Sequence, residues 1–376
     1  MQQDMFCKDL IDTAKALSNE IRIDQKVDSE SALLKVWPLI VRNGFHRLLI
    51  EPSFDGWGLD LRQYIDTMQQ LAYGDGPLAL AVHVHNYAVK IINELGDKTL
   101  KQRLKTWLDE GNIFSLARTE YKRDYRYNFS TKISHMKSSS VLSGQKDFCT
   151  LAGLADCYVV FAQTEVSDPS MDSLQVCIAI GNAPTVEVIK TNGFDSMVAS
   201  STYSVRFNDY ELSPADLVGQ PGEIAKLENP DTLTIGICAI NVGMADLGIE
   251  LFERYYRGKN DNVEVMRWLG QMDVLLRSAE LLLDESINSR PHMDSKSGIY
   301  LRRAKSASDT LLQNVTEGAI KYLGIDGIMS KNKLIYLRNN SYATRILPPS
   351  TQKSLIALGT ERIKVSHDKR GAEISM

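Results

Sequence analysis

Cysteine is scarce in this chain and poorly placed for chemistry. The 376 residues hold five (Cys7, Cys149, Cys157, Cys177 and Cys238), an odd number, widely separated, with no C-x-x-C pair. That argues against a disulfide framework and a zinc site and suits a reducing cytosol. Histidine is as sparse. The six histidines form no metal-ligand cluster, and His83 and His85, two apart, would face different ways on a helix. No metal site is expected. Basic charge is lacking too: the net charge is −4 and the pI about 5.9, without the footprint a nucleic-acid partner needs. There is no P-loop and no G-x-S-x-G elbow. Gly56-Trp57-Gly58 resembles a dinucleotide fingerprint but has Leu61 where the third glycine belongs. The apolar stretch Leu78 to Ile92 contains His83, His85, Asn86 and Lys90, too short and too polar to span a bilayer. Met1-Gln2-Gln3-Asp4 shows no basic region followed by an apolar one, so no signal peptide is expected. A cytoplasmic protein without a membrane span is the expectation.

What is present is a change of period. Hydrophobic residues make up 43% of the chain, enough for a sizeable core and two or three domains. Residues 1–112 read mainly as helices. Tyr64, Ile65, Met68, Leu71 and Ala72 share one face, and Gly74-Asp75-Gly76-Pro77 breaks that helix. Further helices run from about Leu78 to Leu95 and from about Lys98 to Leu108. Between residues 113 and 220 the pattern becomes short runs rich in β-branched and aromatic residues: 157–163, 175–180, 186–189 and 203–207. Turn formers bound them, which indicates antiparallel strands rather than βαβ units. From about Asp231 the helical period returns. Cys238, Val242, Ala245, Ile249 and Phe252 mark one helix, Val265, Trp268, Met272, Leu276, Ala279 and Leu283 a second, and Ala304, Ala307, Leu311, Val315, Ala319 and Tyr322 a third. A fourth runs from about Ser354 to Val365. The expected fold is α+β: an N-terminal α-helical domain (1–112), a central antiparallel β-barrel or sandwich domain (113–220) and a C-terminal four-helix bundle (221–376).

Short motifs fall in order along this frame. They include Gly44-Phe45, Glu51-Pro52, Gly56-Trp57-Gly58-Leu59-Asp60 and Leu71-Ala72-Tyr73-Gly74-Asp75. Thr119-Glu120, Gly144-Gln145-Lys146-Asp147-Phe148-Cys149-Thr150, Leu212-Ser213-Pro214, Leu323-Gly324-Ile325-Asp326-Gly327 and Arg338 follow. In order and spacing, from about Gly44 to Ile363, the chain resembles the acyl-CoA dehydrogenase family. The resemblance implies a flavoprotein oxidoreductase acting on CH-CH donors, with FAD as cofactor. Its substrate would be an acyl thioester, carried on CoA or on an acyl carrier protein, and its electrons would pass to a flavin electron acceptor. A homodimer or homotetramer through the C-terminal bundle is implied as well. By position, Thr150 would hydrogen-bond near flavin N5, Thr119 would lie near the pyrimidine edge, and Phe148 would replace the usual tryptophan against the ring. Arg257, Lys321, Gly324 and Ser350 complete the FAD-binding candidates.

Departures from the family pattern define the open question. The family's catalytic glutamate falls, in most members, where this chain reads Leu347-Pro348-Pro349-Ser350-Thr351, and no carboxylate lies between Asp326 and Glu361. Other members carry the base near the position of Leu233-Thr234, which also offers none. A general base needs a titratable group within hydrogen-bond reach, so no catalytic residue can be assigned. After Thr119-Glu120 the chain reads Tyr121 to Tyr127, where Lys122, Arg123 and Arg126 could pair with a phosphopantetheine phosphate. The family's arginine motif is shortened to Arg257-Gly258-Lys259-Asn260, and Ile325 replaces the second glycine of a pair. Two alternatives follow. One is a flavin-dependent monooxygenase of the same fold, which needs no α-proton base. The other is a catalytically inactive scaffold subunit.

Overall fold

A computed structural model describes residue 13 and residues 29–121, 129–135, 139–164, 170–190, 196–228, 232–257, 262–289, 297–329 and 333–374. The chain divides into two compact units: residues 1–67 with 77–233, and residues 68–76 with 234–376.

The first unit opens with helices. They are α1 (Ser29–Arg42), α2 (Leu61–Gly74, whose last residues go with the second unit), α3 (Gly76–Leu95) and α4 (Lys98–Asp109). Local chemistry sets their limits. Asp97 caps α4 by accepting from the Leu100 N–H, and Leu100, Leu104 and Leu108 then share one buried face. Each such buried leucine contributes about 1.5–3 kcal/mol relative to exposure. The helix α3 is buried nearly all round, and its polar residues are satisfied. Asn86 Oδ1 accepts from Leu48 N at 2.8 Å, and Asn86 Nδ2 donates to Phe45 O at 2.8 Å. His85 accepts from Phe114 N through Nδ1 at 3.0 Å and so donates to His46 O through Nε2 at 2.9 Å. His83 and His85 are thus helix residues held by hydrogen bonds, as the sequence indicated.

Eight strands follow: β1 (Phe114–Ala117), β2 (Lys132–His135), β3 (Ser140–Cys149), β4 (Cys157–Thr164), β5 (Leu174–Ile180), β6 (Val186–Ile189), β7 (Tyr203–Leu212) and β8 (Leu217–Val218). Their order is β6-β7-β3-β2-β4-β5-β8, with β1 also on β4. Pairing is antiparallel along most of the path and parallel where β1 and β2 meet β4. Residues 157–163 of β4 are all buried, an apolar run from Cys157 to Ala162 followed by the hydrogen-bonded Gln163. The strand β3 bends at two bulges against β7, between Leu142 and Gly144 and between Lys146 and Cys149. Gly144 has φ 142°, and a Cβ there would stand 2.5 Å from the Thr131 Cα, so glycine is required.

The second unit contains α5 (Thr232–Tyr256), α6 (Val263–Asn288), α7 (Ser297–Leu323), α8 (Lys333–Ile346) and α9 (Thr351–Ile374), with short helical turns at Ala225–Glu228 before them and Ile325–Ile328 after α7. Among the long helices of this unit, α8 is the one absent from the sequence reading. The hub is α7, which packs against α6, α8 and α9. The stretch from Ala225 to Tyr256, which includes α5, is long and apolar enough to cross a membrane by length and composition, and most of its apolar window is buried in the fold, as in a core helix.

Candidate functional site

Of the seven candidate residues, Thr119, Phe148 and Thr150 lie in the first unit, and the structure brings them together. Glu120 anchors the first of them. Its carboxylate is buried and accepts from Ser130 N and Ser130 Oγ at 2.6 Å, from Thr131 N at 2.9 Å and from Lys146 Nζ at 2.9 Å. Lys146 is fully buried, its ammonium 3.7 Å from the Phe129 ring centroid. Burial alone would raise the Glu120 pKa, but the Lys146 charge and the converging donors overcome it and hold Glu120 at about 2. Burial lowers Lys146 to about 8 against the opposing pull of Glu120. Both groups are charged near neutrality.

This pair staples the end of β1 to β3. Asp147 N then donates to Thr119 O at 2.7 Å, and the Asp147 carboxylate accepts from Tyr121 N at 2.8 Å, Ser204 Oγ at 2.8 Å and Gln145 Nε2 at 2.9 Å. Phe148 follows at the second bulge with φ 57°. Its ring is 39% exposed, beside Tyr121 at 6.3 Å between centroids, so it is not a core residue. Thr150 is buried. Its carbonyl accepts from Ser115 Oγ at 2.6 Å, and its hydroxyl meets Thr202 Oγ1 at 3.2 Å.

Backbone strain gathers here. Phe148, Leu151, Met197 and Ser201 all have positive φ without being glycine, and Leu151 N donates to Ser200 O at 3.0 Å, tying the two turns together. Such conformations cost about 1–3 kcal/mol each and concentrate at functional sites. The Ser201 hydroxyl is buried with no hydrogen-bond partner. Cys149, in the same turn, is no nucleophile: burial pushes its thiol up to about 12.

Arg257, Lys321, Gly324 and Ser350 lie in the second unit. Arg257 follows the last turn of α5, is exposed, and donates its N–H to Glu253 O. Lys321 is exposed near the end of α7, its Nζ 5.3 Å from the Tyr322 ring centroid. Gly324 carries φ 61° and ψ −132°, and Ile325 starts the helical turn after it. The glycine therefore stands where glycine is needed, and Ile325 meets no conflict. Ser350 caps α9, its hydroxyl accepting from Lys353 N at 3.3 Å. Lys122, Arg123, Arg126 and Lys259 lie outside the described residues.

The two stretches where the resemblance would place a base are neighbours: Thr234 Oγ1 donates to Pro348 O at 3.4 Å. A carboxylate that the sequence reading missed lies behind them. Asp309 is buried on α7 and accepts from Lys305 Nζ at 2.5 Å, Asn241 Nδ2 at 2.8 Å and Thr351 Oγ1 at 2.6 Å. Lys305 also donates to Thr344 O at 2.7 Å. Asp309 thus fastens the turn between α8 and α9. Lys305 and Asp309, four apart, fall beside the apolar stripe that marked α7, on a second stripe buried only because α7 is the hub.

Comparison with known proteins agrees with this architecture. Residues 5–110 match the family model of the acyl-CoA dehydrogenase N-terminal domain. The chain is 25% identical over 307 residues to a mitochondrial short-chain specific acyl-CoA dehydrogenase from Sus scrofa, covering 77% of this chain and 72% of that protein. It is 22% identical over 184 residues to a dibenzothiophene monooxygenase from Rhodococcus erythropolis, covering 48% and 43%. Among solved structures, a glutaryl-CoA dehydrogenase from Mycobacterium smegmatis in complex with FADH2 superposes with a TM-score of 0.82 at 18% identity, covering 94% of each chain. The prolyl acyl carrier protein oxidase AnaB superposes with a TM-score of 0.82 at 21% identity, covering 96% of this chain and 98% of that one. The N-terminal match, the relatives and the fold make this chain similar to the acyl-CoA dehydrogenases, whose fold it shares.

Proposed function

We propose that this protein is an FAD-dependent oxidoreductase that dehydrogenates an acyl thioester carried on CoA or on an acyl carrier protein. The observation that carries the reading is the cluster of Thr119, Phe148 and Thr150 on one strained edge of the β-sheet unit. An exposed aromatic ring, a buried hydroxyl and the orphaned Ser201 hydroxyl suit a flat ring with polar edges. Phe148 would offer a π-face, Thr150 a hydrogen bond at the reactive edge and Thr119 a contact at the pyrimidine end. Arg257 and Lys321 are exposed cations for the pyrophosphate, with Gly324 and Ser350 as further contacts. When bound, FAD supplies a two-electron hydride acceptor. The chain's part is to hold the ring, exclude water from the buried turn at Thr150 and orient the thioester. The family resemblance implies a flavin acceptor for the electrons and a homodimer or homotetramer, and apolar Leu355, Ile356 and Ile363 are exposed on α9.

No carboxylate stands at Thr234 or at Leu347–Thr351, and one relative is a dibenzothiophene monooxygenase. These two facts favour a second reading, flavin-dependent oxygenation, which requires no α-proton base. Anaerobic titration of the FAD-loaded protein with acyl-CoA and acyl-carrier-protein thioesters separates the two. Bleaching of the flavin by a thioester supports dehydrogenation. No bleaching, with oxygen incorporated into product in the presence of a flavin reductase, supports oxygenation.

A further inference from the structure

We propose that a one-way chain of hydroxyls leaves Thr150 as a pure acceptor toward its cofactor, so that the site favours reduced flavin over oxidised flavin. The inference rests on the reading that FAD lies against Thr150. It follows from counting protons, because each hydroxyl has one to give. Ser200 Oγ lies 2.7 Å from Met197 O, and a carbonyl cannot donate, so Ser200 gives its proton there. Thr202 Oγ1 lies 2.8 Å from Ser200 Oγ. Ser200 has no second proton, so Thr202 is the donor. Thr150 Oγ1 lies 3.2 Å from Thr202 Oγ1. By the same count Thr150 donates inward and keeps only lone pairs for anything outside.

The direction is locked by its surroundings. Ser200 is fully buried, Thr150 is 7% exposed and Thr202 between them is half-buried, so the direction is set from the inner end, at Met197 O. Positive φ at Met197 and Ser201 fixes the turn that carries Ser200, and Ser115 Oγ pins the Thr150 carbonyl at 2.6 Å. Oxidised flavin presents N5 as an acceptor, which a Thr150 without a free proton cannot satisfy. Two electrons and one proton convert that atom to N5–H, a donor that Thr150 accepts. The chain therefore tightens the reduced form relative to the oxidised form and raises the midpoint potential. Thr202 and Ser200 are positioning residues in this scheme, since they act through Thr150.

The test is a dithionite redox titration of the FAD-loaded protein and its Thr202→Val, Ser200→Ala and Thr150→Val variants. Removing either inner hydroxyl frees the Thr150 proton to serve oxidised N5. Both single variants should lower the midpoint, by about tenfold in the reduced-to-oxidised ratio, or about 30 mV for a two-electron couple. Adding Thr202→Val to Thr150→Val should produce no further shift, because the message has no recipient. An unchanged or raised midpoint in both single variants overturns the inference. So does an equal shift in the Thr150→Val background. Protein that binds no flavin refutes the flavin reading itself and takes this inference with it.

Discussion

Among the described residues, four hydrogen bonds converge on the Glu120 carboxylate, one of them from the Lys146 ammonium. Substituting Glu120→Gln leaves an ammonium buried without a counter-charge, which costs about 3–5 kcal/mol. Equilibrium urea unfolding should show that loss, while replacing both residues by apolar ones of similar volume should recover most of it. Two histidines set a different dependence. Burial lowers His46 to about 4 and His85 to about 3 from 6.5, so both are neutral in the folded protein and titrate near 6.5 in the unfolded chain. As pH falls from 6.5 the unfolded state takes up protons that the folded state refuses, and stability declines until pH approaches those folded values. Glu120, whose folded pKa of about 2 lies below its ordinary 4.5, loses its contribution only below pH 4.5. Between pH 6.5 and 4.5 the decline therefore reports on the histidines. The urea midpoint should fall steadily across that window, and a flat midpoint would contradict their neutral burial.

The turn between α8 and α9, where the family resemblance would place a base, is a fastening point. Lys305 holds Thr344, Asp309 holds Thr351, and Thr234 holds Pro348. Asp309→Asn should destabilise the protein by about 3–5 kcal/mol by leaving Lys305 buried and unpaired. Thermal unfolding checks it, and a change below about 0.5 kcal/mol would show the pair to be incidental. This network was not legible in the sequence. A Lys and an Asp at i and i+4 read as an exposed helix pair, and only the hub position of α7 buries them. The strands β1 to β3 were hidden for a related reason. Lys146 and Gln145 interrupt the alternation of β3, and its bulges break the period. The helices α2 and α4 were legible because their stripes are clean, and α3 because the Gly74–Pro77 break and Gly96 with Asp97 bound its apolar run.

Across the whole chain, the switch from a helical period to short strands and back was enough to anticipate the architecture. Each segment buries its own kind of face, and the turns carry the residues that turns require. Thr119, Phe148 and Thr150 could be picked out only as members of an ordered set of motifs. Their juxtaposition depends on the Glu120–Lys146 pair and on left-handed backbone at Phe148, which no local pattern reveals. That juxtaposition is the basis of the flavin assignment. The most direct test is the visible absorbance spectrum of purified protein before and after addition of FAD, followed by anaerobic addition of acyl thioesters. The account predicts a retained yellow flavin that a thioester bleaches. A preparation that stays colourless after FAD is added and excess is removed would contradict it.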